Sequence, residues 1–369
     1  EGNTVDLKVR TYRVDVQRPG DVVEDVLRIY GYNNVELTDE VHGSLSYKTP
    51  TDEANDLREL ISDQLTAQGF NEILNNSLTA KGYYEDLAMY PAANCVELLN
   101  PLSGDLNVMR QTLLFGGLES VAHNINRRSQ DLLMYEFGNV YRLNPDAVAE
   151  GNALAPYNQS SRMALWMTGD IRTASWTGAA EAVTFYHLKG VVEAVMTRLG
   201  ISARETSMTN FDAPEMYAAA LTLSTRSGKQ LGTLGILSKK LLKRMDIEQD
   251  VMYAEFDWDA LVKLAMKKKV QYSPLPKTHP VRRDMALLLD KEVTFDQVEN
   301  VIRESERRLL RTVKLFDVYE GEHLPEGKKS YAVAITLQDT EKTLTDKQID
   351  GVMGKITTNL EKRLGATLR

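Results

Sequence analysis

The chain has 369 residues and a net charge of −8 at pH 7, a length that predicts two or three domains, each with its own core. The acidic balance argues against a protein coated in basic charge for nonspecific nucleic-acid binding, yet basic and acidic residues nearly cancel within 272–369, so RNA contact is expected there through local patches. The single cysteine, Cys95, excludes an intramolecular disulfide, and the absence of any long apolar run argues against secretion and a membrane span, so a cytoplasmic location is expected.

The opening Glu1-Gly2-Asn3 has no methionine, and a strand is expected to begin almost at once, so the sequence reads as a piece of a longer protein. Residues 1–40 predict a strand over 7–16, a turn at Pro19-Gly20, and a helix whose apolar face is Val23, Val26, Leu27 and Tyr30, stopped by Gly31. Residues 41–270 predict a helix from Thr51 with Leu57, Leu60, Ile61 and Leu65 on one face, ending at Gly69. Strands are expected over 72–78, 96–99, 132–141, 163–168, 219–224, 231–236 and 251–256. Helices are expected over 112–126 and 182–199. Strand runs with helices set between them predict an α+β domain on a mainly antiparallel sheet. Lys267-Lys268-Lys269 then leads into Pro274, Pro276 and Pro280, which forbid helix and mark a linker. Residues 271–369 alternate in the order β-α-β-β-α-β.

Four acids converge at the start of the first helix. Asp21 would open it, Glu24 and Asp25 lie one turn on, and Asp15 reaches the same point across the turn, a set suited to a hard cation such as Mg²⁺; acids in a first turn also simply complement the helix dipole. His42, His123, His187, His279 and His323 have no zinc spacing, Gly228, Gly232 and Gly235 read as turn and packing glycines, and no motif around Cys95 marks a nucleophile. For RNA, the C-terminal part offers Arg282, Arg283, Arg307, Arg308, Arg311 and Lys314, with Phe316, Tyr319 and Tyr331 as stacking candidates or, equally, core rings.

Several of these strings resemble a known family. Phe316-Asp317-Val318-Tyr319, Gly321, Gly327-Lys328-Lys329-Ser330, Leu337-Gln338-Asp339 and Thr343-Leu344-Thr345 closely resemble the ferredoxin-fold anticodon-binding domain that ends the β subunits of bacterial phenylalanyl-tRNA synthetases. Tyr12-Arg13-Val14-Asp15, Asp21-Val22-Val23-Glu24-Asp25-Val26 and Ile29-Tyr30-Gly31-Tyr32-Asn33-Asn34 are similar to the end of their B5 domain, whose matching acids bind Mg²⁺ shared with the α subunit; Asp25 stands where a glutamate is usual. The middle resembles their class II synthetase-like core. Residues 51–78 look like motif 1, Val108-Met109-Arg110-Gln111-Thr112 resembles a Leu-Arg-Thr stretch of the catalytic α subunit, and residues 135–142, ending in Arg142, sit where motif 2 would.

An active class II site needs an arginine on the ATP α-phosphate and an acid two residues later. Here Asn144 occupies the second position, and residues 250–258, where motif 3 would lie, hold neither glycine nor arginine, so Arg110 and Arg142 are degenerate positions. Two sites depart locally from the family: Leu237-Ser238-Lys239 replaces a frequent His-Pro, and His187 replaces a common Asp. The resemblance implies a non-catalytic β-subunit portion that supports the α interface through residues 51–68 and binds the tRNA anticodon region. It also implies an assembly of two α and two β chains, with ATP used by the α subunit. Editing belongs to β domains upstream of this segment. A free-standing RNA-binding scaffold and a stand-alone class II-like amide ligase are the alternatives.

Overall fold

The computed structural model describes residues 4–36, 43, 47–147, 151–268, 272–321 and 324–369. The opening tripeptide, His42, His323, Lys269 and the expected boundaries at 40–41 and 270–271 lie outside them. Two compact units result, residues 1–269 and 270–369. Among the described residues no helix is long and apolar enough to cross a membrane.

Helix α1 (Pro19–Tyr30) begins on a proline, whose fixed φ suits the first turn and whose missing N–H is no loss there. The Asp21 carboxylate accepts from the backbone N–H of Gln17 at 2.9 Å and of Arg18 at 2.7 Å, closing the helix entry, and Gly31, at φ 92°, ends it. Residues 7–16 are not the expected strand. They have no ladder partner among the described residues, and their backbone closes turns instead, Arg13 N to Arg10 O at 3.0 Å and Val16 N to Arg13 O at 3.3 Å. No described residue of 4–36 is buried.

The rest of the first unit is built on one large sheet. Helix α2 (Pro50–Ala67) is capped by Thr49, whose hydroxyl takes the Asp52 N–H while the Asp52 carboxylate takes the Thr49 N–H, and it buries Ile61 and Leu65. The expected strand over 72–78 splits into β1 (Asn71–Glu72) and β2 (Leu78–Thr79); β2 joins β4 (Val108–Met109) and β3 (Val96–Glu97) in a small three-stranded sheet. After α3 (Leu114–Ile125) come the long hairpin β5 (Leu132–Leu143) and β6 (Tyr157–Thr168), the short pair β7 (Asp170–Arg172) and β8 (Glu181–Ala182), and α4 (Phe185–Arg198). Helix α4 starts later than expected because His187 Nδ1 takes the Thr184 N–H at 3.0 Å, fixing the first turn there. Strands β9 (Thr206–Phe211), β10 (Tyr217–Thr225) and β11 (Gln230–Leu237), helix α5 (Lys239–Arg244), strand β12 (Val251–Asp257) and helix α6 (Trp258–Ala265) complete it.

The seven strands run β1-β5-β6-β12-β11-β10-β9, antiparallel throughout except for the parallel β1–β5 pair. Period-two alternation gives the sheet two buried faces. Tyr135, Phe137, Met163, Leu165, Ala254 and Phe256 meet α2, α4 and α6 on one side. Met134, Trp166, Val251 and Tyr253 meet α3 and α5 on the other. Helix α3 approaches so closely that a Cβ on Gly117 would stand 2.1 Å from Cε2 of Trp166.

The second unit follows the expected order, β13 (Val281–Asp290), α7 (Phe295–Ser305), β14 (Leu310–Tyr319), β15 (Lys328–Leu337), α8 (Asp346–Leu364) and β16 (Thr367–Leu368), with sheet order β14-β15-β13-β16. Thr294 and Thr345 open the two helices with capping boxes. Both helices pack on one sheet face, where Val298, Ile302, Ile356 and Leu360 meet Leu287, Leu289, Val333 and Ile335. Tyr331, a stacking candidate by sequence, belongs to this core instead, 7% exposed beside Phe295. A bulge between Leu315 and Asp317 shifts the β14–β15 register by one residue.

Candidate nucleic-acid interface

The sheet face opposite α7 and α8 carries Arg282 and Asp284 from β13, Thr312 and Lys314 from β14, and the cross-strand partners Ala334 and Thr336 from β15. Phe316 is 53% exposed, with the Arg282 guanidinium 5.4 Å from its ring centroid. Arg282 is held there by its Nε, 2.8 Å from Asp284 Oδ1. Arg369, just beyond β16, lies 5.5 Å over Tyr319. Two ring–guanidinium pairs on a β-platform, with the Phe316 ring exposed and the Tyr319 ring half-buried, can stack planar bases while presenting positive charge to phosphates.

The other candidates divide. Lys314 is exposed on the platform, and Arg307 and Arg311 are exposed at its end. Arg308 pairs with Asp339 at 3.3 Å. Arg283 is placed apart: alternation turns it to the helix side, half-buried, with Asp346 at 3.8 Å, so it does not share the face of Arg282. Arg369 was missed, since nothing local in a two-residue strand marks its end as part of the platform.

The degenerate positions are differently placed. Arg110 is buried, with Nη1 2.7 Å from Glu136 Oε1 and Nε 2.9 Å from the Asn139 carbonyl. Asn75 Nδ2 donates to the other Glu136 oxygen at 2.7 Å. Gly138 is required beside them, because a Cβ there would stand 2.2 Å from Arg110 Nη2. Nearby, buried Glu255 accepts from Thr112 Oγ1 at 2.5 Å, from Leu113 N at 3.0 Å and from the Tyr253 hydroxyl. Those bonds delay α3 to Leu114, two residues later than expected. Arg142 is exposed at the end of β5, where its guanidinium meets the side-chain oxygen of Asn94 at 2.8 Å when that amide is turned to accept. Cys95 is buried, and burial pushes its thiol pKa up.

The four acids do not fit Mg²⁺ as they stand, an ion that needs about six converging oxygens. Arg13 Nη2 lies 2.8 Å from Asp15 Oδ2 and 2.7 Å from Asp25 Oδ2. That guanidinium holds the Asp15 carboxyl below its usual range. Asp21 is spent on the α1 entry, and Glu24 pairs with Arg28 at 3.3 Å. Among the described residues no three His, Cys, Asp or Glu side chains are grouped to hold a metal.

Comparison with known proteins decides the family. The model of the phenylalanyl tRNA synthetase β chain CLM domain matches residues 40–258, more than half of the chain. The chain belongs to the phenylalanyl-tRNA synthetase β chain family. The ferredoxin-fold anticodon binding domain model matches residues 276–369, and the tRNA synthetase B5 domain model residues 1–32. The phenylalanine–tRNA ligase β subunit of Bacteroides fragilis is 50% identical over 98% of this chain and 44% of its own length. That of Porphyromonas gingivalis is 48% identical over 100% and 45%, and that of Clostridium acetobutylicum 31% over 100% and 44%. The chain thus spans less than half the length of the curated β chains it matches. Among solved structures, pyrrolysyl-tRNA synthetase from Desulfitobacterium hafniense aligns at 15% identity and a TM-score of 0.43, covering 58% of this chain and 69% of that one.

Proposed function

We propose that this chain is the C-terminal part of a phenylalanine–tRNA ligase β subunit, working in the cytoplasm with a catalytic α subunit in an assembly of two α and two β chains that charges tRNA with phenylalanine at the expense of ATP. In this reading residues 1–40 end a B5 domain, 41–270 are a class II synthetase-like core without chemistry of its own, and 271–369 grip the anticodon region. The observation that carries the reading is the open platform with Phe316 under Arg282 and Tyr319 under Arg369, in a unit matching an anticodon-binding family. Unpaired loop bases are recognised by such stacking, with cations on the backbone.

The core is read as non-catalytic because its candidate groups are already engaged. Arg110 is bound to Glu136, and Arg142 faces Asn94 with Asn144, not an acid, two residues on. Adenylate formation needs cationic groups free to meet a transferring phosphoryl group. ATP is accordingly assigned to the α subunit, and any Mg²⁺ at Asp15, Asp21, Glu24 and Asp25 to the joint assembly, where further ligands and the release of Arg13 would be needed.

The test uses the chain coexpressed with the α subunit. Deleting residues 270–369 is expected to weaken tRNA binding on the order of tenfold or more, leaving phenylalanine-dependent ATP–pyrophosphate exchange intact. The chain by itself is expected to give no exchange. Unchanged tRNA affinity after the deletion, or exchange by the pure chain, would overturn the reading.

A further inference from the structure

A cleft of about 490 Å³ opens at one end of the C-terminal sheet, where the residues before β14, the start of β14 and the β15–α8 loop meet. Arg308, Arg311 and Lys342 bring three cations to it, Thr340 and Thr343 bring hydroxyls, and Asp339 and Glu341 bring two carboxylates. Its inner carboxylate, Asp339, is already committed. Asp339 Oδ1 accepts from the N–H of Glu341 at 2.9 Å and of Lys342 at 3.4 Å, and Oδ2 meets Arg308 Nη2 at 3.3 Å. Those backbone bonds, with Arg308 and Lys342, hold its carboxyl below the usual range. Asp339 therefore pins the loop and orients Arg308. Arg311 and Lys342 have no carboxylate within ion-pairing distance among the described residues.

Three cations against two carboxylates, with Arg311 and Lys342 outside ion-pairing distance of either and hydroxyls beside them in a concave site, favour an anion with several acceptor oxygens. The cleft also adjoins the platform. From its edge β14 runs on through Thr312 and Lys314 to Phe316, and Arg282 lies on the same row, opposite Thr336, which also pairs with Thr312. At the usual rise per residue, Thr312 and Phe316 are about 13 Å apart.

We infer that this cleft holds a backbone phosphate of the bound RNA while the open face stacks its bases. The inference rests on the anticodon-binding reading above. It divides the interface into a phosphate grip set by Arg311 and Lys342 and a base-stacking surface set by Phe316.

The experiment titrates the full 369-residue chain with a labelled anticodon stem-loop of a phenylalanine tRNA across a salt series. Arg311→Ala combined with Lys342→Ala is expected to weaken binding about tenfold at low salt and to make the log K against log salt slope shallower by roughly one to two. Phe316→Ala should weaken binding with the slope unchanged. Thermal melting checks that the variants remain folded. Inorganic phosphate should compete with RNA on the wild type. If wild-type chain binds no RNA, the anticodon reading falls and this inference with it. If RNA binds and the double variant keeps the wild-type affinity and slope, the phosphate grip alone is refuted. Phosphate that binds equally well with and without saturating RNA would mark a site for the free ion and would likewise overturn it.

Discussion

Arg110 Nη1 lies 2.7 Å from Glu136 Oε1, with the two side chains 5% and 0% exposed, so a complete ion pair is sunk between β5 and the segment leading into α3. A buried pair of this kind adds little over an apolar pair of equal volume, but breaking it strands a charge.

Arg110→Met is therefore expected to destabilise the first unit by about 3–5 kcal/mol, and combining it with Glu136→Leu to recover much of that loss. Urea midpoints for the two single variants and the double variant measure the coupling. A coupling near zero would mean that the pair is inert. Gly138→Ala should be destabilising on its own, since its methyl needs space that Arg110 Nη2 fills at 2.2 Å.

Arg13 sets the expectation for magnesium. With its guanidinium on both Asp15 and Asp25, the chain alone should show no saturable Mg²⁺ binding below millimolar concentrations by calorimetry, as hard-cation sites require convergent free oxygens. Arg13→Gln should raise Mg²⁺ affinity by releasing two carboxylates. Asp21→Asn should weaken α1 by about 1 kcal/mol whether or not the ion is present, because its first role is the helix cap. Tight binding by the wild-type chain alone would contradict the clamp.

Phe316 and Tyr331 separate binding from folding. Phe316→Ala, at a ring 53% exposed, should change stability by no more than about 0.5 kcal/mol while lowering RNA affinity. Tyr331→Ala, at a ring 7% exposed, should cost about 3 kcal/mol. Melting curves beside binding isotherms distinguish them, and the reverse pattern would mean that the two rings have exchanged roles.

Legibility followed the range of the interactions. Helix α2 was readable because its apolar stripe and closing Gly69 are local to it, although its cap is Thr49, two residues before the expected start at Thr51. The strand pattern at 7–16 misled because alternation carries no information about whether a neighbouring edge exists. β9 escaped because Thr206–Phe211 mixes polar and apolar residues at the edge of the sheet. In the candidate interface, period two already separates Arg282 from Arg283. Tyr319 needed more: a regular ladder would have turned it toward the helices, and the bulge after Leu315 resets the alternation so that it faces out beneath Arg369. The pairing of Arg110 with Glu136 spans 26 residues and two elements, so composition and spacing could offer both residues without revealing that each neutralises the other.

The contact between Gly117 and Trp166 has a consequence for how this protein can change over time. A helix residue without a side chain and the largest ring in the strand beneath it share one volume, so neither position can vary independently. A larger residue at 117 becomes acceptable only after the indole has been exchanged for something smaller, and a smaller residue at 166 opens a void until 117 has grown. Substitutions at the two sites should therefore be strongly non-additive, each harmful in one background and tolerated in the other. The freedom of α3 to diverge is thus decided on β6, 49 positions further along the chain.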